Sequence, residues 1–472
     1  MAHAGDMDPE AFRREAHRVA DWIADYLAAP ERFPVLARSR PGDIRRALPA
    51  EAPERGESFD AIFGDFERLI LPGITHWNHP GFFAYFAITG SGPGILGEFL
   101  SAALNVQAML WRTSPAATEL EGVSLDWLRR LIGLPEGFEG VIYDTASVST
   151  LHALAAAREA AIPEVKQAGL AGRTDLPRCR VYCSEHAHSS VDKAAVLLGL
   201  GHDAVVKVRA DEAFRMQPEA LDSALAADRR AGFLPLAIVA TVGTTSTTSV
   251  DPVAAIAAIA AREHVWLHVD AAYAGVAAML PSHRAILDGA ERADSLVVNP
   301  HKWLFTPFDI SVLYCRRMDV LRQAFSLTPE YLRTVEATPV QNLMDTGVQL
   351  GRRFRALKLW MVLRHFGADG LRERLAEHMR LAAVFAGWIR AHPGFSLEAP
   401  APFSVVCFRA NATDTVNEQL LERVNASGEV FLSHTRLGGK FVLRLAIGNL
   451  RTTEAHVKRA WTLLQQHMHE LS

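Results

Sequence analysis

The stretch VWLHVDAAYAG (265–275), followed by SLVVNPHKW (295–303), is the key to the architecture. Each opens with a short apolar run and ends in a residue able to do chemistry, Asp270 in the first and Lys302 in the second. On the N-terminal side the same grammar recurs. GVIYD (140–144) leads into SVSTLHALAAAREAA, RVYCS (180–184) into SSVDKAAVLLGL, and PLAIVATVG (235–243) into a Thr/Ser turn and VAAIAAIAARE. Apolar strands without strict alternation, each joined to a helix, predict an α/β fold with a mainly parallel sheet covered by helices on both faces. Ligands of such sheets bind beyond the carboxyl ends of the strands. That rule selects Thr145–Ser147, Ser184–His188, Thr244–Ser246, Asp270–Tyr273 and Asn299–Lys302.

The flanks suggest further parts. PEAFRREAHRVADWIADYLAAP (9–30) repeats apolar residues at three and four positions between two prolines, the mark of an amphipathic helix, and a Pro/Arg/Glu-rich arm continues to Ser58. A long helix is expected over Leu350–Phe366. Beyond it FSVVCFRA (403–410) and KFVLRLAI (440–447) alternate as half-buried antiparallel strands of a small C-terminal α+β domain. The expected division is an N-terminal helical segment and arm (1–85), a large domain (86–365) and the small domain (366–472).

Composition excludes several classes. The 472 residues are 49% hydrophobic and 22% charged with a net charge of −4, so no global field recruits nucleic acid or an acidic membrane. The longest apolar run, PVAAIAAIAA (252–261), is about half a bilayer span, and the mixed-charge N-terminus shows no secretory signal. Four cysteines, only Cys179 and Cys183 near each other, read as reduced thiols of a cytoplasmic protein with no metal site. The basic residues Arg352, Arg353, Arg355, Lys358 and Arg364 read as a salt-bridged helix face rather than a nucleic-acid site.

The strand ends carry the chemistry. A lone Asp or Lys after a strand is usually a cap or a solvated charge. Asp270 and Lys302 together at one sheet edge suit a cofactor that needs both an amine and a carboxylate, and pyridoxal 5'-phosphate is one: its aldehyde condenses with lysine, and a carboxylate keeps its ring nitrogen protonated. Ala271 and Ala272 leave room for a flat ring. DTASVST (144–150) offers Thr145, Ser147 and Ser149 hydroxyls and a helix N-terminus, which is an ordinary cap elsewhere but a phosphate cradle beside that pair. No dinucleotide or P-loop glycine motif stands at a strand end. In SEHAHSS (184–190), His186 and His188 lack a third metal ligand at helical spacing, and an imidazole stacked on a planar cofactor fits better.

These stretches, with SEHAHSSVDKA (184–194), THWNHPGFFAYF (75–86), SPAATELE (114–121) and LGRRFRALKLW (350–360), closely resemble the pyridoxal-phosphate-dependent group II amino acid decarboxylases. That family includes aromatic-L-amino-acid, tyrosine, tryptophan and histidine decarboxylases, and the resemblance spans nearly the whole chain. It implies the aspartate-aminotransferase fold (fold type I) and a homodimer with exchanged N-terminal helices. By resemblance, Lys302 condenses with the cofactor aldehyde and Asp270 partners the pyridine nitrogen. Ala146 and Ser147 hold the phosphate, helped by Asn299 and His301. Thr245 contacts the cofactor, Ala272 lies against the ring, and His188 stacks over it and meets the substrate. Trp77, Tyr85 and Phe86 match the aromatic wall of the substrate pocket.

Two departures bear on activity. Counting back from Leu350, the position of a loop tyrosine implicated in protonating the substrate Cα holds Leu343, with Tyr331 farther upstream and not counted as its replacement. A leucine there leaves open amine formation through another donor, oxidative release of an aromatic acetaldehyde, or a shifted loop alignment. Ile88, after FFAYFA, denies a hydrogen bond to a ring hydroxyl and favours phenylalanine or tryptophan. A cofactor-binding homologue without turnover is a further alternative, opposed by the presence of Lys302, Asp270 and His188. So is another fold type I enzyme such as an aminotransferase.

Overall fold

The computed structural model describes residues 5–162, 164–327 and 340–471. Its strands are β1 (Phe82–Phe83), β2 (Glu139–Tyr143), β3 (Cys179–Ser184), β4 (Val205–Val208), β5 (Leu234–Thr241), β6 (Trp266–Asp270), β7 (Ser295–Val298), β8 (Ser311–Cys315), β9 (Phe395–Leu397), β10 (Val405–Ala410), β11 (Phe431–Leu437) and β12 (Lys440–Ala446). Seven of them form one sheet in the order β2-β8-β7-β6-β5-β3-β4. All neighbours are parallel except β8, which runs antiparallel to both β2 and β7. Every residue of β6, β7 and β8 is buried, as a sheet covered on both faces requires. The α/β fold type I reading therefore holds.

The alanines explain the helix layer. In the helix Ala146–Ala161, Ala153, Ala155, Ala156 and Ala157 are buried against Val141, Val181, Val239 and Leu313 of the strands. Small side chains let the helix backbone approach the sheet closely, and the branched strand residues fill the gap. Each fully buried Val or Leu contributes about 1.5–3 kcal/mol.

By internal contacts the chain forms two compact units, Ile88–Phe408 and a second made of the residues up to Ala87 with those from Arg409 on. The seven-stranded sheet belongs to the first. In the second, β1 pairs parallel with β11, Phe82 opposite Phe431, and β11 pairs antiparallel with β12, Ser433 opposite Arg444. This partition differs from boundaries after 85 and 365. Pairing of β1 with β11 ties the N-terminal segment to the C-terminal part, and no local pattern announces a pairing between such distant residues.

The helix expected from Leu350 begins instead at Ala356 and runs to Ala391, broken at Gly367, whose φ of 63° only glycine adopts readily. The preceding LGRR residues are engaged elsewhere: the Arg352 N–H donates to Gln107 Oε1 at 2.6 Å and its carbonyl accepts from Ala108 N–H at 2.9 Å. The basic stripe is salt-bridged as expected, Arg353 and Lys358 to Glu98 and Arg355 to Asp309. Arg352, however, precedes the helix and is buried.

Candidate active site

Lys302 and Asp270 stand where their strands end. Asp270 closes β6, is 7% exposed, and accepts the Ala272 N–H at 3.1 Å. β7 runs beside it, and the turn after β7 is tied to the turn after β6 by the Asn299 N–H donating to the Ala272 carbonyl at 3.1 Å. Lys302 comes next, in the single turn Pro300–Trp303. Burial pushes its amine below the ordinary lysine range while the Asp270 carboxylate opposes the shift, so the two lie within one electrostatic field. Ala271 and Ala272 are buried at this edge. The neighbouring turn closes in through Gly243, with φ of 93°, where a Cβ would meet that of Ala274 at 2.7 Å.

Asn299 and His301 form the floor. His301 Nδ1 accepts the Ile310 N–H at 2.9 Å, so the neutral ring carries its proton on Nε2. Burial and the Lys302 charge hold its pKa down to about 3, which keeps it neutral. Nε2–H faces the Asn299 amide, 3.3 Å from Nδ2, while the buried Oδ1 has no hydrogen-bond partner among the described residues. Two donors do not bond, and the orientation of an amide is settled by its network. The Asn299 oxygen therefore belongs on His301, and its NH₂ takes the buried position that no donor of the described residues reaches. A buried NH₂ turned away from His301 fits an anion.

The helix Ala146–Ala161 supplies the other donors. Thr145 precedes it in extended conformation and makes no side-chain cap; its carbonyl accepts the Val148 and Ser149 N–H groups at 3.1 and 3.0 Å, while those of Ala146 and Ser147 have no partner among the described residues. Ser147 is exposed at this end. Ser149 is not available to a ligand, because its hydroxyl pairs with Ser311 at 2.7 Å under the sheet. Thr245 is exposed in the turn after β5.

His188 stands just beyond β3 and is exposed in the single chain. Its Nδ1 accepts the Ser190 N–H at 3.1 Å, which leaves the proton of the neutral ring on Nε2. The protein packed round the ring lowers its pKa, Asp270 opposing and Lys302 adding to the effect. His188 thus shares the field of Lys302 and Asp270.

In the other unit Trp77 stacks on Phe82 at 4.3 Å and on Tyr85 at 5.9 Å between centroids. The Arg444 guanidinium lies over Phe86 at 5.5 Å and donates to the Tyr85 carbonyl at 3.3 Å. Trp77 and Tyr85, two of the aromatic residues expected to form a wall, thus stack on each other, and Arg444 links Tyr85 to the third, Phe86. Ile88 begins the larger unit and is half-buried.

Sequence pattern did not reveal the groups that brace this edge. Glu121 accepts the Ile142 N–H at 2.9 Å and holds the Arg352 guanidinium, 2.8 Å from Oε1 to Nη2, both side chains being buried. Arg352 also donates to the Ile142 carbonyl at 2.8 Å. Tyr143 stacks on His152 and donates to the Thr346 carbonyl, and His152 Nε2 accepts the Val348 N–H at 3.0 Å. SPAATELE and LGRRF carried Glu121 and Arg352, but no spacing rule pairs the two.

Leu343 lies in a 3₁₀ turn, Leu343–Thr346, and is only 5% exposed. An apolar side chain so packed is a core residue. Tyr331 lies outside the described residues.

A model of the pyridoxal-dependent decarboxylase conserved domain matches residues 41–411. The chain belongs to that family. This decarboxylase is 42% identical over 476 residues to tryptophan decarboxylase 2 of Oryza sativa, covering 97% of this chain and 95% of the relative. It is equally 42% identical over 477 residues to a phenylacetaldehyde synthase of Arabidopsis thaliana, covering 98% and 96%. A solved Oryza sativa TDC holding PLP and tryptamine superposes with a TM-score of 0.95 at 38% identity over 99% of both chains. Pyridoxal phosphate is the cofactor and the chain is a carboxy-lyase. The buried Asn299 amide and the open helix N-terminus fit its phosphate, and the Lys302–Asp270 field fits its aldehyde and ring nitrogen.

Proposed function

We propose that this decarboxylase removes the carboxyl group of an aromatic L-amino acid as CO₂ and releases the arylalkylamine. The carrying observation is the common field of Lys302, Asp270 and His188 at one strand edge. When bound, the cofactor supplies an aldehyde for the substrate amine and a protonated ring that takes up the electron pair left by the departing carboxylate. Burial raises the share of Lys302 that is neutral and nucleophilic. Asp270, fixed by the Ala272 N–H, keeps the proton on the ring nitrogen. Ala146 and Ser147 backbone donors and the Asn299 NH₂, set by His301, hold the phosphate. Ala272 leaves room for the ring and Thr245 contacts the cofactor. His188, its Nδ1 held by the Ser190 N–H, would stack on the ring and offer Nε2–H to the substrate carboxylate. Trp77, Tyr85, Phe86 and Ile88 receive the aromatic side chain, and Ile88 favours phenylalanine or tryptophan over a dihydroxylated ring.

Aromatic choice is supported by the Trp77 cluster and by the names of the relatives, which include both a decarboxylase and an aldehyde synthase at equal identity. The aldehyde reading rests on Leu343, a buried residue with no proton to give, and on the aldehyde synthase among the relatives. Product analysis on L-tryptophan, L-phenylalanine, L-tyrosine and L-DOPA, in air and under argon, tests the proposal. Amine equal to CO₂ and indifferent to oxygen is expected. Aldehyde, ammonia and peroxide that vanish under argon would replace the amine reading with the synthase.

A homodimer belongs to this proposal. On the helix Gly92–Leu104 the apolar residues Leu96, Phe99, Leu100 and Leu104 are all about half exposed in the single chain, and Phe12 of the N-terminal helix is 53% exposed. A cytoplasmic location is likewise inferred, in keeping with four free cysteines.

A further inference from the structure

A cleft of mixed polar and apolar lining lies in the unit formed by the N-terminal and C-terminal segments. It encloses about 380 Å³ and is lined by Arg32, Arg38, His79, Gly428, His456 and Arg459 among others. His79, from THWNHPGFF, is 4% exposed. Its Nδ1 accepts the Gly81 N–H at 2.9 Å, so the neutral ring carries its proton on Nε2, and that N–H has no partner among the described residues. His79 lines the cleft, so this ring N–H is open to a ligand that enters it.

The charges around it are unequally engaged. Glu429 grips Arg459 through both oxygens at 2.6 and 2.7 Å, whereas Glu31, which also lines the cleft, stands 3.6 Å from His456, an ion pair only when that histidine is protonated. The cations Arg32 and Arg38 form no ion pair among the described residues. Arg32 is steadied by the Phe33 ring, 5.0 Å from its guanidinium carbon. Arg38 rests against Gly428, where a Cβ would come within 2.8 Å of its Nη2, so glycine keeps this wall open. Pro34 and Val430 add apolar surface.

We propose that this cleft binds a small oxyanion ligand, a carboxylate or a phosphate, held by the Arg32 and Arg38 guanidiniums and the His79 Nε2–H. It is separate from the residues that hold the cofactor. Planar guanidiniums bind either anion bidentately, and 380 Å³ admits more than a bare ion.

The test uses enzyme loaded with cofactor and reduced with borohydride, so that the cofactor phosphate already fills the catalytic anion site. Inorganic phosphate and phenylacetate are titrated calorimetrically. Saturable binding of either, weakened at least tenfold in Arg38→Ala and lost in Arg32→Ala/Arg38→Ala, is expected, and the anion that binds tells phosphate from carboxylate. Arg45→Ala, an exposed arginine of the same arm outside the cleft, leaves the affinity unchanged. Arg32 and Arg38 are exposed, so the variants keep their core, and an unaltered thermal midpoint verifies it. Absence of binding by the parent enzyme at millimolar anion, or equal binding by the double variant, overturns the proposal.

Discussion

For single residues, the chemistry depends on which proton sits where. Asp270→Asn keeps the shape but removes the charge that holds a proton on the ring nitrogen, and kcat falls by about 10²-fold or more, read in steady-state CO₂ release. Asn299 gives a sharper test of the tautomer argument. Its oxygen is committed to His301 Nε2–H, so Asn299→Asp retains that contact while replacing the outward NH₂ by a carboxylate oxygen. The expected result is at least a tenfold weaker hold on the cofactor, measured by its absorbance on dialysis, with the fold intact. Unchanged cofactor affinity would show that the NH₂ does not meet the phosphate. Both Asp270 and Lys302 were legible in sequence, because the acid and the amine each end an apolar run. The Asn299 orientation was not, since it depends on an Ile310 N–H brought to His301 by the turn before β8.

Among the helices and strands, the buried Glu121–Arg352 pair joins three segments: the helix Pro115–Ile132, β2 through Ile142, and the extended LGRR. Glu121→Gln leaves a buried guanidinium without its counter-charge and destabilises the fold by about 3–5 kcal/mol, seen as a lowered urea midpoint. β2 leads directly into the helix whose N-terminus is proposed to hold the phosphate, so on that proposal cofactor affinity weakens in the same variant. Sequence reading placed five of the sheet's seven strands within a few residues, missed β4 and β8, and extended the later helix back to Leu350. Apolar periodicity continues through LGRRF, whereas tertiary hydrogen bonds to Gln107 and Ala108 hold that segment out of the helix.

Across the molecule, buried histidines set the response to acid. His79, His152 and His268 are held at about 4 and His301 at about 3, in each case mainly by burial, against 6.5 in an exposed chain. Between those values the unfolded chain takes up protons that the native chain refuses, so stability falls as pH drops from 6.5 toward 4. Asp251, raised by burial to about 6, acts in the opposite sense, because the native state takes its proton first. Four groups outweigh one, and the urea midpoint is expected to decline steadily below pH 6.5. A midpoint flat down to pH 4.5 would contradict that balance. The dimer is tested on the same whole-chain footing: Phe99→Glu with Leu104→Lys charges the exposed face of one helix, and sedimentation should show a dimer in the parent and a monomer in the variant.

Local sequence was enough to show a mainly parallel sheet, five of its seven strands and the pair Asp270–Lys302 at their carboxyl ends; β4 and β8 it did not show. Burial on two faces leaves continuous apolar runs, and the rule of carboxyl ends then points at the residues just beyond each run. Long-range packing alone settled that β1 joins β11, that Glu121 finds Arg352, that Leu343 is a core residue, and that the His79 N–H lines a second cleft. Each of these depends on contacts between residues far apart in the chain, and a local period carries no record of them.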